Sequence, residues 1–401
     1  MYHYKKDSEV WTMNFDRHIQ RRGTDCAKYD AAAEHGYRED ILPLWVADMD
    51  FQAPQCVLEA LRKAVDHGIF GYSTQSERYF PALQAWFSRN FGWELKQEWL
   101  VQTPGVVFAL STAIRATTAP GDNVLVLPPV YYPFYRVIEN NGRRIVKSQL
   151  HYENGRYTMD FRDIEAQIVE NEVKTMILCS PHNPVGRVWT LQELQQLGKL
   201  CKKYGVTMIS DEIHCDFAFR EHPHTPFVKA CPEMAENTIV CTAPSKTFNL
   251  AGLQVSDILI PGEALRQRFL KELDVVAYHG VNRLGAVAAL AAYENGQQWL
   301  DECKAYLQEN LNYVRSFLAS RIPAIKLVEP EGTYLAWLDC SGLGLTKEEL
   351  DQLIIQKANL WLDTGSIFDQ SAEQFQRIVL ACPKSTLEKA MEQLEKAVKN
   401  L

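Results

Sequence analysis

Continuous apolar runs alternate with amphipathic stretches between about residues 100 and 260, and this alternation most constrains how the chain can fold. Four runs have the length and composition of strands, at residues 124–127, 175–179, 206–209 and 238–241. They lack the polar alternation of a half-exposed antiparallel strand, which is typical of a sheet buried on both faces. Between the second and third runs, leucines recur at helical spacing over residues 191–204. The pattern predicts an α/β fold with a doubly wound, mainly parallel sheet.

The chain changes character after about residue 296, where helical patterns dominate. Long helices are predicted at residues 299–319, 347–359 and 385–399, around short strands at residues 334–338 and 377–381. These segments predict a separate, smaller α+β domain. Two domains also suit a chain of 401 residues, because domains usually contain roughly 100–200 residues.

Charge and composition exclude several classes of protein. The formal net charge of −8, from 50 acidic and 42 basic residues, argues against a general nucleic-acid-binding protein, which needs a basic surface. The longest strongly apolar run covers residues 286–293, whereas a membrane-spanning helix needs about 20 residues. Residues 1–7 are polar and precede no apolar stretch, and ten dispersed cysteines form no CxxC motif. We therefore expect a cytoplasmic protein with no secretory signal, no disulfide framework and no membrane partner.

A metal site is not expected. His222 and His224 lie close together in the sequence, but no cysteine or carboxylate stands at the spacing of a metal site. The segment 222–224 is interpreted as a solvated loop.

Three loops that directly follow predicted strands carry polar side chains suited to catalysis. They contain Asn183, then Asp211 and His214, then Ser245 and Lys246. Each loop alone is weak evidence, because an Asn-Pro turn, a capping aspartate and a surface Ser-Lys pair are all common. Ligands of parallel α/β sheets bind beyond the carboxyl ends of the strands. Together the loops therefore place an amide, a carboxylate and a lysine at one edge of the sheet.

Two further segments could bind a phosphorylated ring. Gly105 begins a predicted helix, and the unpaired N–H groups of such a start, here at Val106 and Val107, suit a phosphate. A plain helix start is the alternative. Tyr131 follows the next strand, where an aromatic side chain stacks on a planar ring or simply belongs to the core.

The sequence resembles the fold-type I pyridoxal-phosphate enzymes, which have the aspartate-aminotransferase fold. Within them it most resembles the MalY/PatB group of cystathionine β-lyases, which are aminotransferase-like C–S lyases. The motifs that carry the resemblance lie at residues 45–51, 70–72, 104–107, 129–131, 180–186, 210–214, 243–249 and 331–337. The resemblance implies a large cofactor-binding domain at residues 51–289. It implies a small domain formed by residues 1–50 with 290–401.

The resemblance also implies roles at the cofactor ring for Lys246, Asp211, Tyr131, Asn183 and His214. Lys246 is expected to bind the cofactor aldehyde covalently and then to move the substrate Cα proton. Asp211 is expected to keep the pyridine nitrogen protonated, and Tyr131 to stack on the ring. Asn183 is expected to donate to the ring phenolate oxygen. His214 is expected near the ring, with a satisfied core histidine as the alternative.

The remaining implied roles concern the phosphate and the substrate. The phosphate is expected to be bound by Gly105, Val106, Val107 and Ser245. Gln254 stands where many aminotransferases have a phosphate-binding arginine. Tyr72 is expected to reach the phosphate of a neighbouring subunit, which implies a homodimer with shared active sites. Arg377 is expected to bind the substrate α-carboxylate through its guanidinium fork.

The sequence departs from the family pattern at two places near Arg377. Val379 stands where the family usually has an asparagine, and residues 369–373 replace a glycine-rich loop. Both departures concern the substrate rather than the cofactor.

The function implied by the resemblance is that of a pyridoxal-phosphate C–S β-lyase of amino-acid metabolism. Cystathionine, a precursor in methionine biosynthesis, is the leading substrate, followed by cysteine and its other S-conjugates. The products are a thiol, pyruvate and ammonia. An aminotransferase that uses the same Lys246, Asp211 and Asn183 is the alternative enzyme, and a regulatory or binding module on the same fold is a third interpretation.

Overall fold

The computed structural model describes residues 13–401. The predicted absence of a secretory signal rests on residues 1–7, which lie outside the described residues. The strands are β1 (Leu42–Pro43), β2 (Leu100–Thr103), β3 (Asn123–Val126), β4 (Arg144–Lys147), β5 (His151–Glu153), β6 (Arg156–Thr158), β7 (Thr175–Cys179), β8 (Thr207–Asp211), β9 (Thr238–Thr242), β10 (Ser256–Leu259), β11 (Lys326–Val328), β12 (Leu335–Asp339), β13 (Leu360–Trp361), β14 (Asp363–Thr364) and β15 (Phe375–Val379). The α-helices are α1 (Ala27–Asp30), α2 (Gln55–His67), α3 (Tyr79–Phe91), α4 (Val106–Thr117), α5 (Pro133–Asn140), α6 (Phe161–Glu170), α7 (Leu191–Tyr204), α8 (Phe227–Ala230), α9 (Pro244–Thr247), α10 (Glu263–Val275), α11 (Arg283–Asn295), α12 (Gln297–Arg321), α13 (Lys347–Gln352) and α14 (Lys384–Val398).

The large sheet has the strand order β2-β10-β9-β8-β7-β3-β4. Strand β10 runs antiparallel to both of its neighbours, and the pairs among the remaining strands are parallel. Every residue of β7, β8 and β9 is buried, which explains the continuous apolar runs in the sequence. The predicted mainly parallel α/β sheet is therefore confirmed.

Helices cover both faces of this sheet because successive strand side chains point in opposite directions. In β7, Met176 and Leu178 belong to the core beside α6 and α7, whereas Ile177 and Cys179 belong to the core beside α4 and α10. The sheet is thus the middle of three layers, and its polar strand ends meet at one edge.

Helix α7 has the bounds that the leucine pattern predicts, because both of its ends are specified locally. At its start, the Thr190 hydroxyl accepts the Glu193 N–H, and the Glu193 carboxylate accepts the Thr190 N–H, which forms a capping box. At its end, Gly205 adopts the left-handed conformation with φ of 70°.

The C-terminal part of the chain forms an antiparallel sheet with the order β11-β12-β15-β14. Helices α12 and α14 pack together beside it, and the Asn310 side chain of α12 donates to the carbonyls of Leu380 and Cys382, each at 2.9 Å. Strand β1 pairs in parallel with β13 and so links the N-terminal segment to this part. The division into residues 51–289 and the remainder stays a prediction.

The predicted helix at residues 347–359 is wrong in its second half. Helix α13 ends at Gln352, and a π-helical turn follows at Leu353–Lys357. Asn359 then takes a positive φ of 53°, which ends the helical segment.

The interpretation of residues 222–224 as a solvated loop is wrong for His224. This side chain is buried, and its Nε2 lies 2.9 Å from the Glu212 carboxylate. Glu212 also accepts hydrogen bonds from the Ser210 hydroxyl and the Phe227 N–H, so the histidine belongs to a buried polar network.

The ten cysteines are all unpaired thiols, and eight of them are buried. Among residues 13–401, no helix combines the length and the apolar character that crossing a bilayer requires.

Candidate active site

A cavity of about 290 Å³ lies at the carboxyl edge of the large sheet. Strands β7, β8 and β9 end there, and the start of α4 closes one side. The structure brings together at this cavity the predicted residues Gly105, Val106, Val107, Tyr131, Asn183, Asp211, His214, Ser245 and Lys246. Parallel strands that end at one edge therefore assemble the cavity from segments far apart in the sequence.

Asp211 is the last residue of β8 rather than part of the following loop. It pairs in register with Cys179 of β7 and Cys241 of β9, so its backbone position is fixed on both sides. The Asp211 Oδ1 accepts the Ile213 N–H at 3.2 Å. Burial raises the pKa of Asp211 to about 7, although that hydrogen bond and the charge of Lys246 act in the opposite direction. A cationic N–H group placed against this carboxylate would stabilise its charged form.

Lys246 lies on the short helix α9, directly after β9, and its Nζ donates to the Ala47 carbonyl at 2.6 Å. Burial and then the charge of Arg377 lower the pKa of Lys246 to about 8, while Asp48 and Asp211 raise it. A lysine with a lowered pKa is more often a neutral amine, which is the nucleophilic form.

The rings of His214 and Tyr131 line the cavity. The buried Nδ1 of His214 has no hydrogen-bond partner among the described residues. Burial holds the pKa of His214 well below its ordinary value and that of Tyr131 well above, so both rings are uncharged near neutral pH. The unpaired nitrogen argues against a satisfied core histidine at position 214.

The start of α4 provides bare amides at one end of the cavity. Its N-cap residue is Gly105, and no side chain caps the helix, so the first N–H groups of α4 lack a side-chain acceptor. Ser245 and Gln254 line the same cavity. Among the lining residues, Lys246 carries the only cationic side chain.

Arg377 does not line this cavity but is bonded to a residue that does. Its Nη1 donates to the Asn183 Oδ1 at 2.9 Å, which leaves the Asn183 Nδ2 as the available donor of that amide. Its Nη2 donates to the Trp45 carbonyl at 2.8 Å and forms an ion pair with Asp363. Arg377 is buried, and its Nε has no hydrogen-bond partner among residues 13–401.

The N-terminal strap, residues 45–51, contacts Lys246 and Arg377 through main-chain oxygens. Besides the Trp45 contact with Arg377, the Ala47 carbonyl accepts from Lys246 and, at 3.0 Å, from the Tyr334 hydroxyl. The strap is held by the Asn249 side chain, which forms three hydrogen bonds with main-chain atoms of the strap, at 2.9 to 3.0 Å.

An ion-pair cluster also anchors the strap. Arg21 lies 2.6 Å from the carboxylates of both Asp48 and Asp50. The buried Lys28 ammonium lies 3.2 Å from Asp50, and the Tyr29 hydroxyl donates to Asp50 at 3.0 Å. The Asp-Met-Asp-Phe motif therefore fixes the backbone that contacts Lys246.

Sequence reasoning missed Asp363, Tyr334 and the Ala47 carbonyl. A single aspartate among apolar residues gives no signal of its ion pair, and a main-chain contact is independent of side-chain identity.

The structure also shows what the two departures from the family pattern contact. Val379 is buried in the core, and Asp369 forms an ion pair with Lys147 at 2.7 Å, which ties the 369–373 loop to β4.

The polar groups of the cavity suit a planar, phosphorylated pyridine aldehyde. Asp211 offers a buried carboxylate for a ring N–H, Asn183 a donor for a ring oxygen, and Lys246 an amine for the aldehyde. The bare amides of α4 and the Ser245 hydroxyl suit the phosphate.

Comparisons with known proteins agree with this geometry. A sequence model of the family described as aminotransferase class I and II matches residues 39–394. The chain belongs to the aminotransferase class I and II family. Within this family, it is 42% identical over 386 residues to cystathionine β-lyase PatB of Bacillus subtilis, covering 96% of this chain and 100% of that protein. It is 33% identical over 390 residues to protein MalY of Escherichia coli, covering 96% and 99% of the two chains.

A solved structure has nearly the same fold as this chain. Cystalysin from Treponema denticola, which contains a pyridoxal 5′-phosphate cofactor, superposes with a TM-score of 0.94 at 36% identity. The alignment covers 97% of this chain and 100% of cystalysin. The predicted family and the predicted fold are therefore confirmed.

Proposed function

We propose that the protein is a pyridoxal-phosphate-dependent C–S β-lyase that cleaves cystathionine or related S-conjugates of cysteine. The observation that carries the proposal is the single cavity that joins Lys246, Asp211 and the uncapped start of α4. Relatives named cystathionine β-lyase or C–S lyase support the reaction type.

Bound pyridoxal phosphate supplies an electron-accepting ring that stabilises negative charge at the substrate Cα. Lys246 would hold the cofactor through its side-chain amine, and that amine, once free, would take the substrate Cα proton. The Ala47 carbonyl, 2.6 Å from Nζ, orients that amine. Asp211 would keep a proton on the ring nitrogen by supplying the opposite charge. Tyr131 and His214 would pack against the ring, and Asn183 would donate to its oxygen.

Arg377 binds the substrate α-carboxylate. Its unpartnered Nε and its position beside Asn183 support this role. With the carboxylate and the amine both fixed, the Cα–H bond stays within reach of Lys246. The Cβ–S bond then breaks, and with water the products from cystathionine are homocysteine, pyruvate and ammonia.

We also propose a homodimer in which Tyr72 reaches the phosphate of the partner subunit. Tyr72 is fully exposed and does not line the cavity of its own chain. Ile69 and Phe70, in the same segment, are 65% and 60% exposed, and contiguous apolar exposure marks interaction surfaces. The proposed place of action is the cytoplasm, which suits ten unpaired cysteines, and the release of homocysteine fits methionine biosynthesis.

The test is to incubate the pure holoenzyme with cystathionine in the absence of any keto acid, and to assay pyruvate and free thiol. The lyase releases both in equal amounts. An aminotransferase would need an added keto acid and would release no thiol, and an inactive binding module would release neither. Lys246→Ala is expected to lose turnover by orders of magnitude, whereas Lys202→Ala, a change of an exposed lysine on α7, is the matched control.

A further inference from the structure

A second cavity, of about 400 Å³, lies near Arg377 and is walled by aromatic rings. We call it the aromatic pocket; its rings belong to His35, Tyr37, Trp45, Tyr132, Tyr135 and Trp361. The Trp45 and Trp361 rings stack with centroids 4.3 Å apart and planes 12° apart, and Tyr37 packs edge-on against Trp361 at 5.1 Å. Mutual packing holds these rings in place, so the pocket is formed before any ligand enters.

The aromatic pocket adjoins the place proposed for the substrate α-carboxylate. Two of its wall residues are bonded directly to Arg377, Trp45 through its carbonyl at 2.8 Å and Asp363 through an ion pair. A third wall residue, Tyr132, is the chain neighbour of Tyr131, which lines the cofactor cavity. A group that extends from a substrate held by Arg377 therefore has a preformed space beside it.

The charged side chains that line the pocket favour an anionic ligand. Asp363 is buried and is neutralised by Arg377, so its carboxylate is not available to a ligand. Arg136 also lines the pocket, with its guanidinium 5.6 Å from the centroid of the Tyr132 ring. Arg136 is exposed and forms no ion pair with any residue in the described part of the chain.

We infer that the aromatic pocket binds the sulphur substituent of the substrate and that Arg136 binds a carboxylate at the end of that substituent. The inference rests on the proposed lyase function and names its substrate class. Aromatic faces pack well against a thioether and its methylene groups, and a guanidinium fork matches a carboxylate. The preferred substrates are cysteine thioethers with a distal carboxylate, such as cystathionine, over cysteine itself and over neutral S-alkyl cysteines.

The test compares two substrates and two variants. L-Cystathionine carries the distal carboxylate, and S-propyl-L-cysteine lacks it. In Arg136→Gln, kcat/KM for cystathionine is expected to fall about tenfold, the loss of one charge-assisted contact at an exposed site. The value for S-propylcysteine is expected to stay within about twofold, because aromatic packing is unchanged. Arg162→Gln, an exposed arginine on α6 that does not line the pocket, is the control for both substrates.

A binding measurement separates recognition from turnover. On a Lys246→Ala background, calorimetry should show that Arg136→Gln weakens cystathionine binding and leaves S-propylcysteine binding unchanged. Equal losses for both substrates, or no loss for cystathionine, would overturn the assignment of Arg136. If the wild-type enzyme releases pyruvate from neither substrate, the lyase proposal fails and the pocket proposal fails with it. Normal wild-type release without the selective effect overturns the pocket proposal alone.

Discussion

Replacing Asp211 by asparagine is expected to stabilise the cofactor-free protein while it removes most of the activity. The pKa of Asp211 is raised from 3.8 to about 7 by burial, so the folded protein holds a proton that the unfolded chain releases. Because each pKa unit corresponds to about 1.4 kcal/mol, the charged carboxylate costs the folded state up to about 4 kcal/mol above pH 7. Asparagine has nearly the same shape and carries no charge, so it avoids that cost.

The sign of the pH dependence follows from the raised pKa. Below pH 4 the carboxyl is protonated in both states and contributes no penalty. Between pH 4 and pH 7 the unfolded chain loses its proton first, so the stability of the wild type falls as pH rises. The gain from Asp211→Asn should therefore be small at pH 4.5 and largest, at about 2–4 kcal/mol, at pH 8.

The assay is urea-induced unfolding of the cofactor-free proteins at pH 4.5 and pH 8, at one protein concentration. Asp301→Asn, an exposed carboxylate on α12, is the control and should change the free energy of unfolding little at either pH. Activity of the reconstituted Asp211→Asn enzyme should fall about a thousandfold. Two close unit charges at intermediate dielectric attract each other by ~4 kcal/mol, and the substitution removes that attraction. Reduced stability at pH 8, or an equal gain at both pH values, would refute the reasoning.

Three further changes test the surroundings of the site. Asp363→Ala leaves Arg377 buried without its ion-pair partner and should lower the free energy of unfolding by about 3–5 kcal/mol, measured in urea; a loss under 1 kcal/mol would contradict the pairing. Asn249→Gly suits the φ of 58° but removes three hydrogen bonds to the N-terminal strap. It should lower the free energy of unfolding by about 2–4 kcal/mol and should also lower kcat. An unchanged kcat would show that the strap does not orient the Lys246 amine. Mixing inactive Tyr72→Ala and Lys246→Ala chains should restore activity if Tyr72 acts across the dimer interface; confirmed subunit exchange without activity would show that it does not.

The sequence predicts the buried strands well because they are apolar throughout. Strand β7 has the predicted bounds, Thr175–Cys179, since all five of its residues are buried. Strand β8 extends two residues beyond its predicted end, because backbone pairing with β7 and β9 continues through Ser210 and Asp211 after the apolar run stops. Side-chain pattern marks the core of a strand, whereas pairing decides its end.

The cofactor cavity is also largely predictable, because strand order and motif spacing place its residues at one sheet edge. The predicted cofactor and C–S lyase activity agree with those of the relatives. Contacts between distant segments are not predictable in this way. The Arg377–Asp363 ion pair and the aromatic pocket depend on how residues 35–45, 132–136 and 361–367 pack, and the burial of His224 depends on Glu212. The domain boundaries and the role of Tyr72 stay predictions.

Borohydride reduction of the holoenzyme tests most directly whether the cavity at the sheet edge holds pyridoxal phosphate on Lys246. Reduction fixes the cofactor to its lysine, and peptide mapping by mass spectrometry then identifies that residue. The expected result is one modified peptide, which contains Ser245, Lys246 and Thr247, with no modification in the Lys246→Ala protein. Stoichiometric modification of a different lysine would contradict the assignment of this cavity as the active site.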